Sequence, residues 1–574
     1  MNAQWEIQRP DEGLVHSIKT ALNCTSITAT VLANRQIESA EEAMSVWHPG
    51  LDQLRSPFSM KGIAEAVDRL HHAITKKERI LIFGDYDVDG ITGTVISYEF
   101  LRNLGADVSF YIPHRVLEGY GLRSSHITEV ACPKKVNLIF TVDCGSSGHE
   151  AVAAANNAGI DVIITDHHNI SNHPPEAVAV VNPKQSDCTS GLKELAGVGV
   201  AFCILICLRK KLRDAGFWKQ GKEPNLKRYA DLVALGTIAD MVPLKKDNRI
   251  LTKTGIDVIN EALRPGLRAL IGSCGITPGN LTAEDIAFKI APRLNAAGRV
   301  NHASEAVKLL LASDRYTAEN QARRLNEFNA ERQEIEKKIV DRILSDIRDE
   351  GDEYSTNTIV RAEPGWHEGV LGIVASKVMN RYYKPVILLS IRDGIAIGSA
   401  RSIPGVDIYQ ALSNCSSHLL SFGGHESAAG LKLSIDSLEE FKAAFETAVD
   451  NMCAEEDIVQ KIIIDYELFF ADISPNLITE LETLQPFGTG NPAPLFMTAD
   501  VDVLSSKIVG DHHRTMFLSQ KGDHRIRIPA IAFNVDPLTE CPAHFARIAY
   551  YLQWNRWNGR KNTQLVIKAF GAPG

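Results

Sequence analysis

The ten cysteines of this 574-residue chain include no Cys-x-x-Cys pair. That disfavours a structural zinc site and, in a chain this large, a disulfide framework. Cys203 and Cys207 lie four apart inside the apolar run 200–208 and read as small core residues on one helix face. No uninterrupted apolar segment is long enough to span a bilayer, and the start Met1-Asn2-Ala3-Gln4-Trp5-Glu6 lacks the charged-then-apolar order of a signal peptide. A cytosolic protein without a membrane partner is expected. Basic charge is not in excess either. The formal charge of −9 argues against a protein that coats nucleic acid by bulk electrostatics. It leaves room for a nucleic-acid enzyme, because metal cancels active-site carboxylates locally while a basic groove engages phosphates elsewhere.

What the chain does have is size and an ordinary apolar content of 44%, so three or four domains are expected. Its most informative stretch is Gly84-Asp85-Tyr86-Asp87-Val88-Asp89-Gly90, set between the apolar runs 79–83 and 91–96. Three carboxylates at alternate positions cannot share a small volume without a counter-charge, and a divalent metal supplies one. Asp-x-Asp-x-Asp-Gly also begins a calcium-binding EF-hand loop. Here the twelfth position is Ile96 instead of an acidic ligand, and the preceding run reads as a buried strand. The carboxylates therefore belong at the carboxyl end of a strand, the edge where open α/β sheets bind ligands.

The chain reads as α/β. Runs 79–84, 108–112, 136–142, 161–165 and 177–181 alternate with helical stretches, as in a parallel, doubly wound sheet. Helices dominate from 194 to about 271. Between 314 and 353 charge is dense, yet Leu325, Phe328, Ile335, Ile339 and Ile343 recur at helical spacing, which predicts a long amphipathic connecting helix. Alternation resumes over 356–453, with strands at 358–361 and 386–390 and a helix at 369–382. After Lys461 the β-rich runs 462–470, 499–504, 515–518, 525–533 and 546–552 suggest a small barrel or sandwich. The expected division is an N-terminal segment over 1–75 (no motif is legible up to about 45), a catalytic domain over 76–312, a connecting helix over 313–353, a smaller domain over 354–456 and a barrel over 457–574.

Two later strands of the first sheet end in Asp143 and in Asp166-His167-His168, and Asp240 closes a helical segment. Parallel strands end on one edge, so the strand-end groups converge, with Asp240 a fourth acidic candidate. Singly, Asp85, Asp143 or Asp166 is better explained as a helix cap. Together, carboxylates and imidazole suit Mn²⁺ or Mg²⁺, and two such ions suit phosphoester hydrolysis.

These three motifs resemble the first three of the DHH phosphoesterase family. Ala234-Leu235-Gly236-Thr237-Ile238-Ala239-Asp240-Met241-Val242-Pro243-Leu244, Ala291-Pro292-Arg293-Leu294-Asn295-Ala296-Ala297-Gly298-Arg299 and Ser421-Phe422-Gly423-Gly424-His425 are similar to its RecJ branch of single-strand-specific 5′ to 3′ DNA exonucleases. The resemblance implies that Asp87, Asp89, Asp143, His167 and Asp240 hold two ions, with Asp143 bridging them and Asp85 in support, and that His168 faces the scissile phosphate. It implies substrate contacts from Arg115 (the terminal 5′ phosphate), Arg293, Asn295, Arg299, Ser399, Arg401, Gly423, Gly424 and His425. It also implies a DHH-associated second domain, a C-terminal oligonucleotide-binding barrel, a role in repair and recombination, and as partners single-stranded DNA, a helicase and a single-strand-binding protein. A monomer is expected. The stretch Trp554-Asn555-Arg556-Trp557-Asn558-Gly559-Arg560-Lys561 mixes aromatics with cations and can stack bases, or be a hairpin with half-buried tryptophans. The competing activity is hydrolysis of oligoribonucleotides or other small phosphoesters by the same family.

Overall fold

The computed structural model describes residues 4–219, 222–261, 264–350, 356–452, 460–510, 512–557 and 560–571. They form two compact units. One comprises Arg55–Asp240 and Thr254–Gln460 and carries two sheets; the other comprises Met1–Leu54, Met241–Lys253 and Lys461–Gly574. Among the described residues, no helix is long and apolar enough to cross a membrane.

In the larger unit the first sheet is parallel, in the order Asp107–Tyr111, Arg79–Gly84, Leu138–Val142, Asp161–Thr165, Ala179–Val181. Its central strands are apolar on both faces because helices cover both, so Ile80 to Phe83 and Leu138 to Phe140 are all buried. The helices Val88–Asn103, Gly197–Asp214 and Ala230–Ala239 pack closely against one another through glycines. A Cβ on Gly93 would lie 2.5 Å from a Val142 methyl, and one on Gly236 would lie 2.4 Å from Thr92 Oγ1. Small residues here let the three helices crowd under one edge of the sheet.

The second sheet runs Ser421–His425, Ala428–Ser434, Ile395–Arg401, Val386–Arg392, Ile359–Pro364, antiparallel except for the last pair. One face packs on Phe441, Phe445, Ile408 and Leu412. The other is covered at its Val386–Arg392 side by the helix Glu368–Tyr382 and the long helix Arg315–Glu350, through Val370, Val374, Ile339 and Ile343. The stripe expected over 314–353 is therefore present, with Leu325 and Ile343 fully buried and Phe328 half-buried.

In the smaller unit a five-stranded ring is closed by pairing of Leu495–Val509 with His544–Trp557. Arg560–Phe570, a strand beyond the runs expected from sequence, completes it between Asp523–Ala532 and His544–Trp557. It was hidden because the polar stretch Lys561 to Gln564 gives way to the unbroken apolar run Leu565-Val566-Ile567, so no period of two is visible. The run expected over 462–470 is instead two short strands, Lys461–Ile464 and Tyr466–Glu467, followed by a turn at Phe470–Asp472. Residues 1–75 do not pack as one segment. Helices Glu12–Leu22 and Ser26–Ala33 share the barrel core, where Ile18 and Leu32 meet Leu477, Phe496, Leu518 and Tyr550. Ile63–Lys76 belongs to the larger unit. The cause is visible at Glu480: its carboxylate accepts from the Thr25 amide at 3.0 Å and from the hydroxyls of Thr25 and Thr28 at 2.7 and 2.6 Å. Of the aromatic–cation stretch, Trp554 stacks under Lys561, with Nζ 4.4 Å from the ring centroid. Asn558 and Gly559 lie outside the described residues.

Candidate active site

Three adjacent strands of the first sheet each hand a carboxylate to the same edge by extending the ladder one residue. The Asp85 amide donates to Val142 O, that of Asp143 to Thr165 O, and that of Asp166 to Val181 O, at 3.2, 3.0 and 3.2 Å. Strands lie roughly 4.8 Å apart, so three carboxylates stand side by side. Asp143 takes a left-handed backbone (φ 63°) and Gly145 follows at φ 114°, a turn that aims the Asp143 side chain back across the edge. Asp87 is the helix cap among them: its Oδ1 accepts from the amides of Asp89 and Gly90 at 2.9 and 3.1 Å. Asp89, in the first turn of that helix, accepts from Gly197 and Val198 amides at 2.6 and 2.8 Å. These are the free N–H groups at the start of Gly197–Asp214, where a carboxylate is favoured. Gly197 must be glycine, since a Cβ there would lie 2.7 Å from the Asp143 Cβ. Asp240 caps the end of Ala230–Ala239.

His167 Nε2 lies 3.1 Å from Asp143, 3.5 Å from Asp240 and 3.7 Å from Asp89. Three sets of side chains offer mutually close ligand atoms: Asp85, Asp87 and Asp143; Asp89, His167 and Asp240; Asp143, His167 and His168. Burial pushes Asp85 and Asp143 well above the carboxylate range, helped by repulsion from Asp87 and Asp89 respectively. Burial, then Asp87, lifts Asp89 to about 7; burial, then Asp89, lifts Asp240 to about 9. Burial, reinforced by His168, lowers His167 to about 3 and keeps it neutral, the form that ligates metals. Asp85 Oδ1, Asp143 Oδ1 and both His167 ring nitrogens are buried without a hydrogen-bond partner. Buried, mutually repelling acceptors without donors are what divalent cations satisfy, so these residues fit such ions.

His168 differs from His167. Its Nδ1 is 2.8 Å from Asp166 Oδ1 and 3.0 Å from the Tyr120 hydroxyl, which also donates to Asp143 O at 3.1 Å. Burial opposes its charge, but the Asp166 bond overcomes this and raises His168 to about 9. Asp166 also accepts from the amides of Ser146, His167 and His168. Although burial works against it, the His168 bond and these amides hold it below the usual carboxylate range. Asp166 is thus an anchor and not a helix cap, since the next element after it is the strand Ala179–Val181. Tyr120 carried no sequence signal beyond its place in the glycine-flanked loop Gly119-Tyr120-Gly121.

The second sheet presents a matching face. Arg401, Ala428 and His425 are cross-strand neighbours, as are Ser399, Gly430 and Gly423. A Cβ on Gly423 would meet nothing within 4 Å, and one on Gly430 only a carbonyl at 3.9 Å, so this strip is open. Gly424 at φ 154° has Ala428 O 2.4 Å from where a Cβ would stand. His425 Nδ1 comes within 3.4 Å of the Asn169 amide, next to His168. Arg115 stacks on Tyr86 at 4.1 Å, its Nε buried without a partner. Arg299 donates to Gly369 O at 3.0 Å. Burial and then Arg115, Arg332 and Arg401 lower it to about 9, and burial and then Arg115 lower Arg401, so the guanidinium groups of Arg115, Arg299 and Arg401 converge, with Arg332 also near Arg299. Arg293 does not join them. Its Nε and Nη1 already donate to Asn326 and to Lys289 O, at 2.6 and 2.7 Å. Asn295 keeps a buried, unpartnered Oδ1.

Three family models match: "DHH family, N-terminal domain" over residues 79–237, "DHHA1 domain" over 355–451 and "RecJ OB domain" over 464–569. The chain is 37% identical over 569 residues to the single-stranded-DNA-specific exonuclease RecJ of Bacillus subtilis, covering 98% of this chain and 70% of that one. It is 36% identical over 552 residues to the RecJ of Salmonella typhimurium, covering 94% and 93%. The crystal structure of RecJ in complex with Mn²⁺ from Thermus thermophilus superposes with a TM-score of 0.84 at 31% identity, covering 100% of this chain and 80% of that one. Fold, motif-bearing edge and near-full-length identity agree, and the chain belongs to the RecJ family of DHH-type nucleases.

Proposed function

We propose that this chain removes nucleotides from the 5′ end of single-stranded DNA with two divalent ions and acts in DNA repair and recombination. One observation carries the reading. The orphaned ligand atoms of Asp85, Asp143 and His167 and the open strip bearing Arg401 and His425 belong to one packed unit, joined at Asn169 and His425. Asp87, Asp89, Asp143, His167 and Asp240 hold Mn²⁺ or Mg²⁺, with Asp85 in support; an all-oxygen and imidazole donor set without thiolate suits hard cations. Bound there, such ions supply Lewis-acid polarisation of a phosphoryl oxygen and a nucleophile from water at neutral pH. His168, held charged by Asp166, donates a hydrogen bond or proton where charge develops on the phosphate. Arg115, Ser399, Arg401 and the Gly423-Gly424 backbone grip the terminal phosphate, with Arg299 and Asn295 beside them. A grip on one phosphate and chemistry on the next sets a step of one nucleotide.

Residues 76–312 then carry the chemistry, 313–353 connect, 354–456 hold the strand end, and 457–574 bind the strand through the barrel. A cytoplasmic monomer supplied by a helicase and a single-strand-binding protein completes the reading. The test is digestion of a long 5′-labelled single strand beside a dinucleotide and a blunt duplex, with and without manganese. Metal-dependent loss of the label from the single strand alone is expected; preference for the dinucleotide or rapid duplex digestion would sink the proposal.

A further inference from the structure

Three converging arginines cannot hold their geometry by attraction to one another, so something must seat them. Arg401 and Ser399 rest on the helix Glu368–Tyr382 at Gly372, where a Cβ would lie 2.6 Å from Arg401 Nη2 and 3.5 Å from Ser399 Oγ. One turn earlier Gly369 receives Arg299 through its carbonyl, and a Cβ on Gly369 would come within 2.5 Å of Arg299 O. The helix is therefore the seat of both arginines, with no slack at either glycine.

The same helix is tied down further along. Lys377 donates to Glu336 Oε2 at 2.6 Å, and Glu336 Oε1 accepts from Arg332, whose Nη2 donates to Asn329 at 2.8 Å. Glu336, Arg332 and Asn329 lie on the long helix Arg315–Glu350, and the Glu336 side chain is 1% exposed. A buried carboxylate spanning two cations fixes register between helices more than it adds stability. Glu336 is also the carboxylate that offsets the repulsion on Arg299.

Resting on the terminal-phosphate reading above, we propose that Glu336 is a positioning residue for that pocket. By clamping Lys377 and Arg332 it sets the position of Glu368–Tyr382, and through Gly372 that of Arg401 and Ser399, so that recognition of a phosphorylated strand end depends on a residue that never touches it.

The test uses the full chain and compares kcat/KM on 5′-phosphoryl and 5′-hydroxyl single strands of one sequence. Glu336→Asp keeps the charge, hence the field at the arginines, but retracts the carboxylate so that it cannot reach both partners. The preference for phosphate is expected to fall about tenfold through KM, since misplacement by about 1 Å is costly even far from the chemistry. Lys377→Met, which releases the helix and leaves Arg332–Glu336 intact, is expected to lower the preference about threefold. Equal losses on both substrates, or an unchanged ratio in a folded Glu336→Asp protein, overturn the proposal and leave the phosphate pocket standing. If that variant does not fold, an unchanged ratio in Lys377→Met overturns it. An unmutated enzyme indifferent to the terminal phosphate overturns the pocket reading, and this inference with it.

Discussion

Asp143 concentrates what the site demands of one residue: a left-handed backbone, a carboxylate in two of the three ligand sets, and an oxygen with no donor. Asp143→Asn keeps its volume and removes its charge. Turnover on single-stranded DNA should fall by about three orders of magnitude in single-turnover assays, while strand binding by fluorescence anisotropy persists, because the arginine face is untouched. Two arginines that look alike in sequence separate at this scale. Arg401→Ala should raise KM about tenfold or more for a 5′-phosphorylated strand, as a charge-assisted contact is lost. Arg293→Ala should leave KM nearly unchanged and cost about 1 kcal/mol in denaturant unfolding, since its bonds run to Asn326 and the Lys289 carbonyl.

Among elements, the helix Gly197–Asp214 does more than pack. Its first amides hold Asp89, and its first residue touches Asp143. Gly197→Ala should push on Asp143, destabilise the protein by about 1–3 kcal/mol and weaken manganese binding; thermal unfolding and metal titration read the two effects separately. This role was not legible beforehand, because a helix start facing the Asp89 carboxylate of another helix, more than a hundred residues earlier, leaves no local pattern. The strand ends were legible: apolar runs buried on both faces must stop where a charged residue appears, and Asp85, Asp143 and Asp166 stop them. In the smaller unit, Glu480→Ala leaves the Thr25 amide without its acceptor and the Thr25 and Thr28 hydroxyls with only each other, while the Thr25 cap on the Thr28 amide remains. A loss of about 2–3 kcal/mol in chemical denaturation is expected.

For the molecule as a whole, a nest of buried carboxylates sets the terms of stability. Asp85, Asp89, Asp143 and Asp240 are each raised by burial and mutual repulsion, so a divalent cation that neutralises them favours the folded state. Chelation should lower the melting temperature and manganese restore it, with a stabilisation of about 2.7 kcal/mol when free metal is a hundred times its dissociation constant. Hydrogen exchange should report the change at residues 85–98 and 197–205, where Asp85, Asp87, Asp89 and the amides that hold Asp89 lie, and leave the barrel strands unaffected.

Sequence alone determined the α/β class, the carboxyl edge and the candidate ligands, because strand and helix periods are local and a strand-end Asp announces itself. It also placed Asp143 and His167 together, since parallel strands share an edge, whereas Asp240, at the end of a helix, was grouped with them through the family resemblance. Tertiary structure decided the rest. It separated two adjacent histidines, lowering His167 through burial and raising His168 through Asp166. It withdrew Arg293 from the arginine face, joined the first helices to the barrel through Glu480, and brought Glu336 into the seat of Arg401. Each depends on which partner fills the last few ångströms around a polar atom, and burial turns that choice into charge, orientation and function.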